Sequence, residues 1–448
     1  TNSNTISLTS YYMWQYLSPQ SSSEFDTVAA VGSNPYTACF AFDEVHFLLN
    51  TPVKSGDTIR IQSTGAGSME YGVDFLELEQ VGAPIAQPAD SLSVADYKTS
   101  GRSDYSAILA CIKAAKAAGK DVYIPAGTYE IPQIWRLDAV NRKITGAGIW
   151  YTNIKFTSSS RGGGGIEGNS DGSTRNIEFC NMYINSGLSS RYKEDAYYKC
   201  FMGTFAGGSW IHDIWEEHFE CGFWLGDYGG TIDYSDNLRI TGCRIRNNLA
   251  DGVNFCQGTS NAAVFNCSIR NNGDDGLAIW NNNYLSAKNT QNDIFCYNTI
   301  EFIWRAGGIA VYGGDNHSIY NNYIRDCFMA SGIHLNTNFG GYKFEHTDSI
   351  SFANNIIVKC GTNYDVWKSE LGAVDITGDV KNVTFTNTYI YSAIQDGVKL
   401  GTNVSNVSFQ NLTIYGAGIT PKPSYCTSTA LGAAINGHGR SVSINGLF

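Results

Sequence analysis

The strongest constraint on this chain is an internal repeat. Apolar anchors recur at Ile184, Ile214, Ile245, Ile269, Ile300, Ile324, Ile357, Ile390 and Ile414, at intervals of 24 to 33 residues. A unit of that length cannot bury its apolar face alone, so it must stack on its neighbours. Three residues before the anchors stand Asn181, Ile211, Gly242, Asn266, Tyr297, Asn321, Asn354, Asn387 and Asn411. The recurring Asn predicts a ladder of amides, each bonding the turn of the next coil. Cys243 and Cys267, two residues before their anchors, are expected to stack as well. A second phrase follows most anchors: Gly222-Phe-Trp-Leu225, Gly252-Val-Asn-Phe255, Gly276-Leu-Ala-Ile279, Gly308-Ile-Ala-Val311, Gly332-Ile-His-Leu335 and Gly397-Val-Lys-Leu400. These read as short strands with their second and fourth residues inward, in coils about 4.8 Å apart. No helical pattern separates them. The expected fold is all-β, with a right-handed parallel β-helix over residues 89–448.

Residues 1–88 read differently. Thr58–Gln62 and Tyr71–Glu79 alternate like strands between Gly, Ser and Asn turns, which predicts a β-sandwich module. A Pro-containing link, 82–88, marks the boundary. Residues 104–119 form the one helical pattern, started by Asp104 and stopped by Gly119. The twelve cysteines contain no C-x-x-C pair, which argues against a zinc ribbon and for buried thiols, with room for one or two disulfides. A net charge of −11 argues against nucleic acid and weighs against a polyanionic sugar. No apolar run is long enough to span a membrane. The first residues lack a signal-peptide pattern, so the chain reads as a mature or excised fragment whose export is inferred from function.

The repeat places Asp251 and Asp275 at one position, just before the Gly, on adjacent coils, and Asp274 precedes Asp275. Gly307, Ser331 and Leu371 are read at that position farther along, and Asp396 four coils away is read as turn chemistry. Carboxylates one coil apart repel, and the repulsion raises at least one pKa. The pair then offers one protonated acid and one ionised base, which glycoside hydrolysis needs. A calcium site is the competing use of clustered oxygens. Arg244, Arg246 and Arg270 are the nearest cations expected, on a different strand of the coil, and that distance disfavours a lyase. Along the outward face, Trp224, Asn254, Trp280, Tyr312 and His334 are candidate sugar contacts.

Asp121-Val-Tyr-Ile-Pro-Ala-Gly-Thr-Tyr129 after a helix resembles the N-terminal cap of pectin-degrading β-helix enzymes. The Asp-Gly followed by an Asp-Asp-Gly 23 residues later resembles the aspartate triad of β-helix glycosidases: the polygalacturonases of family 28, the dextranases and isopullulanases of family 49, and the α-1,3-glucanases and mycodextranases of family 87. The Arg-Ile-Lys of polygalacturonases is missing, and the lone Gly-His-Gly, at 437–439, lies near the C-terminal end. With the preceding module, the chain is most similar to the catalytic unit of a bacterial family 87 α-1,3-glucanase.

The resemblance implies a secreted, monomeric, inverting endo-hydrolase of α-glucan. Asp274 would be the general acid, while Asp251 and Asp275 would hold and deprotonate the water. An inverting acid and base are expected about 6.5–9.5 Å apart. No cofactor is expected in catalysis; the acidic run Val73–Glu79 resembles modules that hold structural Ca²⁺ and either bind glucan or brace the helix. A related specificity for nigeran or dextran, a calcium-dependent lyase and a non-catalytic glycan-binding β-helix are the alternatives.

Overall fold

The computed structural model describes the chain except residues 1–3, 7–14, 17–38, 41, 64, 66–71, 189–197, 227–232, 283–287, 328, 338, 363–369, 419–431, 438–441 and 448. Eleven short strands, from Trp135–Leu137 to Ile435–Gly437, form one parallel sheet in which each strand pairs with that of the next coil. Two further parallel stacks carry the rest of each coil. One contains Arg239–Thr241, Ala263–Phe265, Ile294–Cys296, Ser318–Tyr320 and Ile350–Ala353. The other contains Arg244–Arg246, Ser268–Arg270, Thr299–Glu301, Tyr323–Arg325 and Ile356–Val358. The chain therefore winds as a parallel β-helix around Ile, Val, Leu and Phe side chains that are almost wholly buried.

Why Asn recurs is visible at the bend between those two stacks. Asn266, Asn321 and Asn354 have φ of 53°, 56° and 54°, the left-handed conformation that Asn tolerates best among residues with a Cβ. Their amides do form a ladder at the C-terminal end, where Asn387 donates to Asn354 and Asn411 to Asn387, each at 2.9 Å. The ladder runs side chain to side chain. Bonding to a neighbouring coil's backbone falls instead to the position one residue later, and it reaches the preceding coil. There Asn322 accepts from the amide of Asn298, Asn355 from that of Asn322, and the Cys267 sulfur from that of Cys243.

One coil was misaligned by apolarity. Ile214 pairs with Met182, and the residue in register with Ile184 and Ile245 is Glu216. A fully buried acid at a core position defeats a pattern drawn on apolar residues. Burial pushes Glu216 well above the usual carboxylate range, and Asn248 donates to its Oε1 at 2.8 Å. Register also replaces Leu371 by Gly372 opposite Ser331, since Val374 pairs with Ile333.

The glycine after each aspartate is a packing requirement. A Cβ on Gly252 would lie 2.6 Å from the Gly276 carbonyl, and one on Gly276 would lie 2.7 Å from that of Gly308. Coils at this spacing leave no room for a methyl. Gly276→Ala is expected to lower stability by about 1–3 kcal/mol; an unchanged melting temperature would show that the rungs can spread.

The helix, α1 (Asp104–Ala118), is capped by Ser103, whose Oγ accepts the Ser106 amide, and ends at left-handed Gly119. Its buried face covers the first coil. It begins on Asp104, as the pattern predicts, with Ser103 before it as the cap, and it ends one residue sooner than the pattern. No helix among the described residues is long and apolar enough to cross a membrane. Ten cysteines there are free, buried thiols.

Much of the expected sandwich lies outside the described residues. Within them, 58–62 and 72–79 carry no strand, and a single antiparallel pair joins Gln15–Tyr16 to Cys39–Phe40. The acidic run instead docks on the coils. Arg270 bonds Glu44 at 2.6 and 3.0 Å and Glu77 at 3.0 Å, Arg244 reaches Glu79 at 2.5 Å, and Phe42 packs edge-on against Phe302. In this structure, then, the run braces the helix.

Candidate active site

Asp251 and Asp275 sit at equivalent positions on successive rungs because Val253 pairs with Leu277, and the Gly252 amide donates to the Asp275 carbonyl at 3.0 Å. Oxygens of Asp251, Asp274 and Asp275 all lie within 4.8 Å of one another. Asp251 and Asp275 are 6% and 3% exposed, whereas the Asp274 side chain is 24% exposed. The stack thus gathers three carboxylates from residues 23 and 24 apart in sequence, with one of them more open to solvent. Their oxygens are nearer than the separation expected of an inverting pair.

Asp275 is held on both oxygens: Oδ1 accepts from the Gly307 amide at 2.8 Å and Oδ2 from the Tyr312 hydroxyl at 2.7 Å. Burial, then the charge of Asp274, pushes its pKa up to about 7, against those two hydrogen bonds and Arg305. Asp396, at the same position four coils on, accepts from the Ala433 amide and from Asn436 of the next coil, so it ties two rungs together rather than closing a local turn.

Arg305 corrects the expectation that no cation lies near the triad. Its Nη1 is 2.7 Å from Asp274 Oδ2, and the side chain is 6% exposed. The residue stands two before Gly307, one coil after the Asp-Asp-Gly, in the slot that Gly273 fills in its own coil. That alignment is the signal that could have found it.

The outward residues separate into different situations. Trp224, Asn254, Ala278, Ala310 and His334 do form one ladder, continued by Asp375 and Lys399. Trp224 has the Lys199 ammonium 5.4 Å over its ring, and Asn254 is buried. Trp280 is only 6% exposed because Tyr342 stacks on it at 5.3 Å, so it is not an open platform for sugar. Tyr312 contacts the triad directly. His334 is pushed down to about 4 by burial and then by Lys399, so it faces the groove neutral, 2.6 Å from the Asn336 amide. Sequence reasoning missed Tyr342, Phe339 and Asp375: the first two come from a loop whose fold no repeat dictates, and Phe339 packs edge-on to Tyr312 at 5.2 Å. His438 lies outside the described residues.

Tyr312→Phe removes a hydrogen bond that favours ionised Asp275. The pH-profile limb near 7 should move to higher pH, with activity lower by about tenfold; an unmoved limb would separate Tyr312 from the working carboxylate.

A row of carboxylates on a parallel β-helix, one buried and protonatable near neutrality, is the acid–base equipment that cleavage of a glycosidic link requires. Residues 99–437 match the family model described as alpha-1,3-glucanase catalytic domain D2, and residues 1–81 match alpha-1,3-glucanase catalytic domain D1. The chain belongs to the alpha-1,3-glucanase catalytic domain family and is a glycoside hydrolase. It is 42% identical to the Agl-KA catalytic domain, with 98% of this chain and 81% of that chain covered and a TM-score of 0.84. The catalytic unit of a thermostable family 87 α-1,3-glucanase from Streptomyces thermodiastaticus is 23% identical over 83% of this chain and 71% of its own, at a TM-score of 0.66. A family 87 α-1,3-glucanase catalytic domain in complex with nigerose is 22% identical over 82% and 67%, at 0.61. The latter two bear on the fold alone. No curated protein matches the chain.

Proposed function

We propose that this glucanase cuts internal α-1,3 links of α-glucan with inversion, outside the cell and as a monomer, by the joint action of Asp251, Asp274 and Asp275. The observation that carries this reading is the meeting of three carboxylates from successive rungs. Asp274 acts as general acid, because it is the most open of the three and an acid must reach the glycosidic oxygen. Asp251 and Asp275 hold the water between them. Asp275 suits a water-positioning role better than that of nucleophile, since both its oxygens already accept hydrogen bonds. Trp224, Asn254 and His334 line the sugar path. Tyr312 acts on it through Asp275, and Trp280 acts only as the support beneath Tyr342.

A second assignment is favoured by Arg305. Asp274 Oδ2 is already engaged by the Arg305 guanidinium at 2.7 Å, whereas Asp275 carries a proton below about pH 7. On that assignment Asp275 is the acid, and Asp274 joins Asp251 as the base. Leaving-group dependence separates the two. An aryl glucoside with a good leaving group needs little acid assistance, so Asp274→Asn should recover on it while Asp275→Asn should not. Recovery by Asp275→Asn alone would reverse the roles.

Catalysis needs no metal on this reading, because Arg305, Tyr312 and the Gly307 amide already supply donors to the carboxylates. The N-terminal module is a sandwich, its acidic run serves as a brace, and structural calcium is confined to that module.

A further inference from the structure

A second cluster lies on another face of the coil, away from the aspartates. In the strands Glu178–Ser186 and Trp210–Glu217, Cys180 pairs directly with His212, and Glu178 precedes Cys180 by two residues and so shares its side of the sheet. A carboxylate oxygen, the thiol sulfur and a ring nitrogen from these three lie within 4.8 Å of one another. His212 Nε2 is 3.0 Å from Glu178 Oε1, while Nδ1 is 2.6 Å from Asp213 Oδ2. That second contact is the one a metal-bound histidine typically makes to fix its ring. The Trp210 ring stacks on the imidazole at 3.9 Å, and Asn181 donates to the Cys180 sulfur at 3.2 Å.

We propose that Glu178, Cys180 and His212 form a binding site for one borderline-soft divalent cation of the zinc type, with Asp213 orienting the histidine and Asn181 supporting the sulfur. One nitrogen, one sulfur and one carboxylate oxygen, with a water as fourth ligand, make a tetrahedral donor set for zinc; calcium would require oxygens throughout. In the metal-free protein the negative charge is balanced otherwise. Lys143 Nζ is 2.6 Å from Glu178 Oε1. Burial works against the imidazolium, but Asp213, Cys180 and Glu178 outweigh it and raise His212 to about 10. A bound divalent ion replaces that ammonium contact and displaces one proton from the thiol and one from the imidazolium.

Cobalt(II) is the probe, titrated into the chelator-treated full chain and followed by absorption. One equivalent should bind with a thiolate-to-cobalt charge-transfer band, and zinc should bleach it. Cys180→Ser should remove the band. Lys143→Ala removes the competing cation and should tighten binding by about tenfold. Absence of the band, or its survival in Cys180→Ser, overturns the site, and so does an unchanged affinity in Lys143→Ala. Hydrolysis of glucan should be the same with and without the metal, so the result is independent of how the aspartates divide their roles.

Discussion

Asp275→Asn is expected to reduce α-1,3-glucan hydrolysis by roughly 10²–10⁴-fold and to make the protein more stable above neutral pH. The two effects have one cause. Burial and the neighbouring Asp274 raise the folded-state pKa from 3.8 to about 7. Below about pH 4 both folded and unfolded chains carry the proton, and the group contributes nothing to pH dependence. Between about 4 and 7 the folded state keeps a proton that the unfolded state has lost, so folding weakens as pH rises. Above about 7 the full penalty of a buried charge is present, up to about 4 kcal/mol. An amide at this position carries no charge, so the stability gain should be largest at pH 8 and vanish near pH 4. Melting curves across that range, beside activity, check both halves. A variant less stable than the parent at pH 8 would mean that the hydrogen bonds from Tyr312 and Gly307 outweigh the burial of charge.

The second large effect lies on a different strand of the same coils. Arg246 and Arg270 occupy paired positions on adjacent rungs and are 8% and 5% exposed at their side chains. Two guanidiniums so placed repel, and Glu44, 9% exposed, lies between them at 3.5 and 2.6 Å. Glu44→Ala leaves both cations desolvated and is expected to lower stability by about 3–5 kcal/mol. Limited proteolysis should then cleave within residues 42–88 faster. Glu77, 62% exposed, should matter far less on replacement by Ala, by about 1 kcal/mol or under. Equal losses from the two variants would remove the case for a buried bridge between the N-terminal segment and the coils.

These cases show what could be read from residues alone. The repeat was legible because a stacked coil needs Ile at its core and Gly where rungs touch, and both leave a period in the chain. Asp251 and Asp275 were legible for the same reason: they share one slot. Glu216 was not, since a buried acid looks like an interruption of an apolar ladder, and Ile214 nearby offered a false register. Arg305 escaped because the cation that reaches Asp274 comes from the following coil, in a slot glycine fills in its own. Tyr342 came from a loop joining two rungs, and loop geometry follows from long-range packing rather than periodicity; its ring turned Trp280 from an expected surface platform into a buried support. The brace was half legible. The acidic run stood out, but its arginine partners were some 165 to 193 residues away, and Glu44 gave no signal at all.

The most direct test follows the anomeric configuration of sugar freshly released from α-1,3-glucan by proton NMR. Water delivered across the ring from the departing oxygen, with the triad supplying acid and base, predicts that the β-anomer appears first and mutarotates to the equilibrium mixture. First appearance of the α-anomer would mean that one of the clustered carboxylates bonds to the sugar, and would contradict a water held between Asp251 and Asp275.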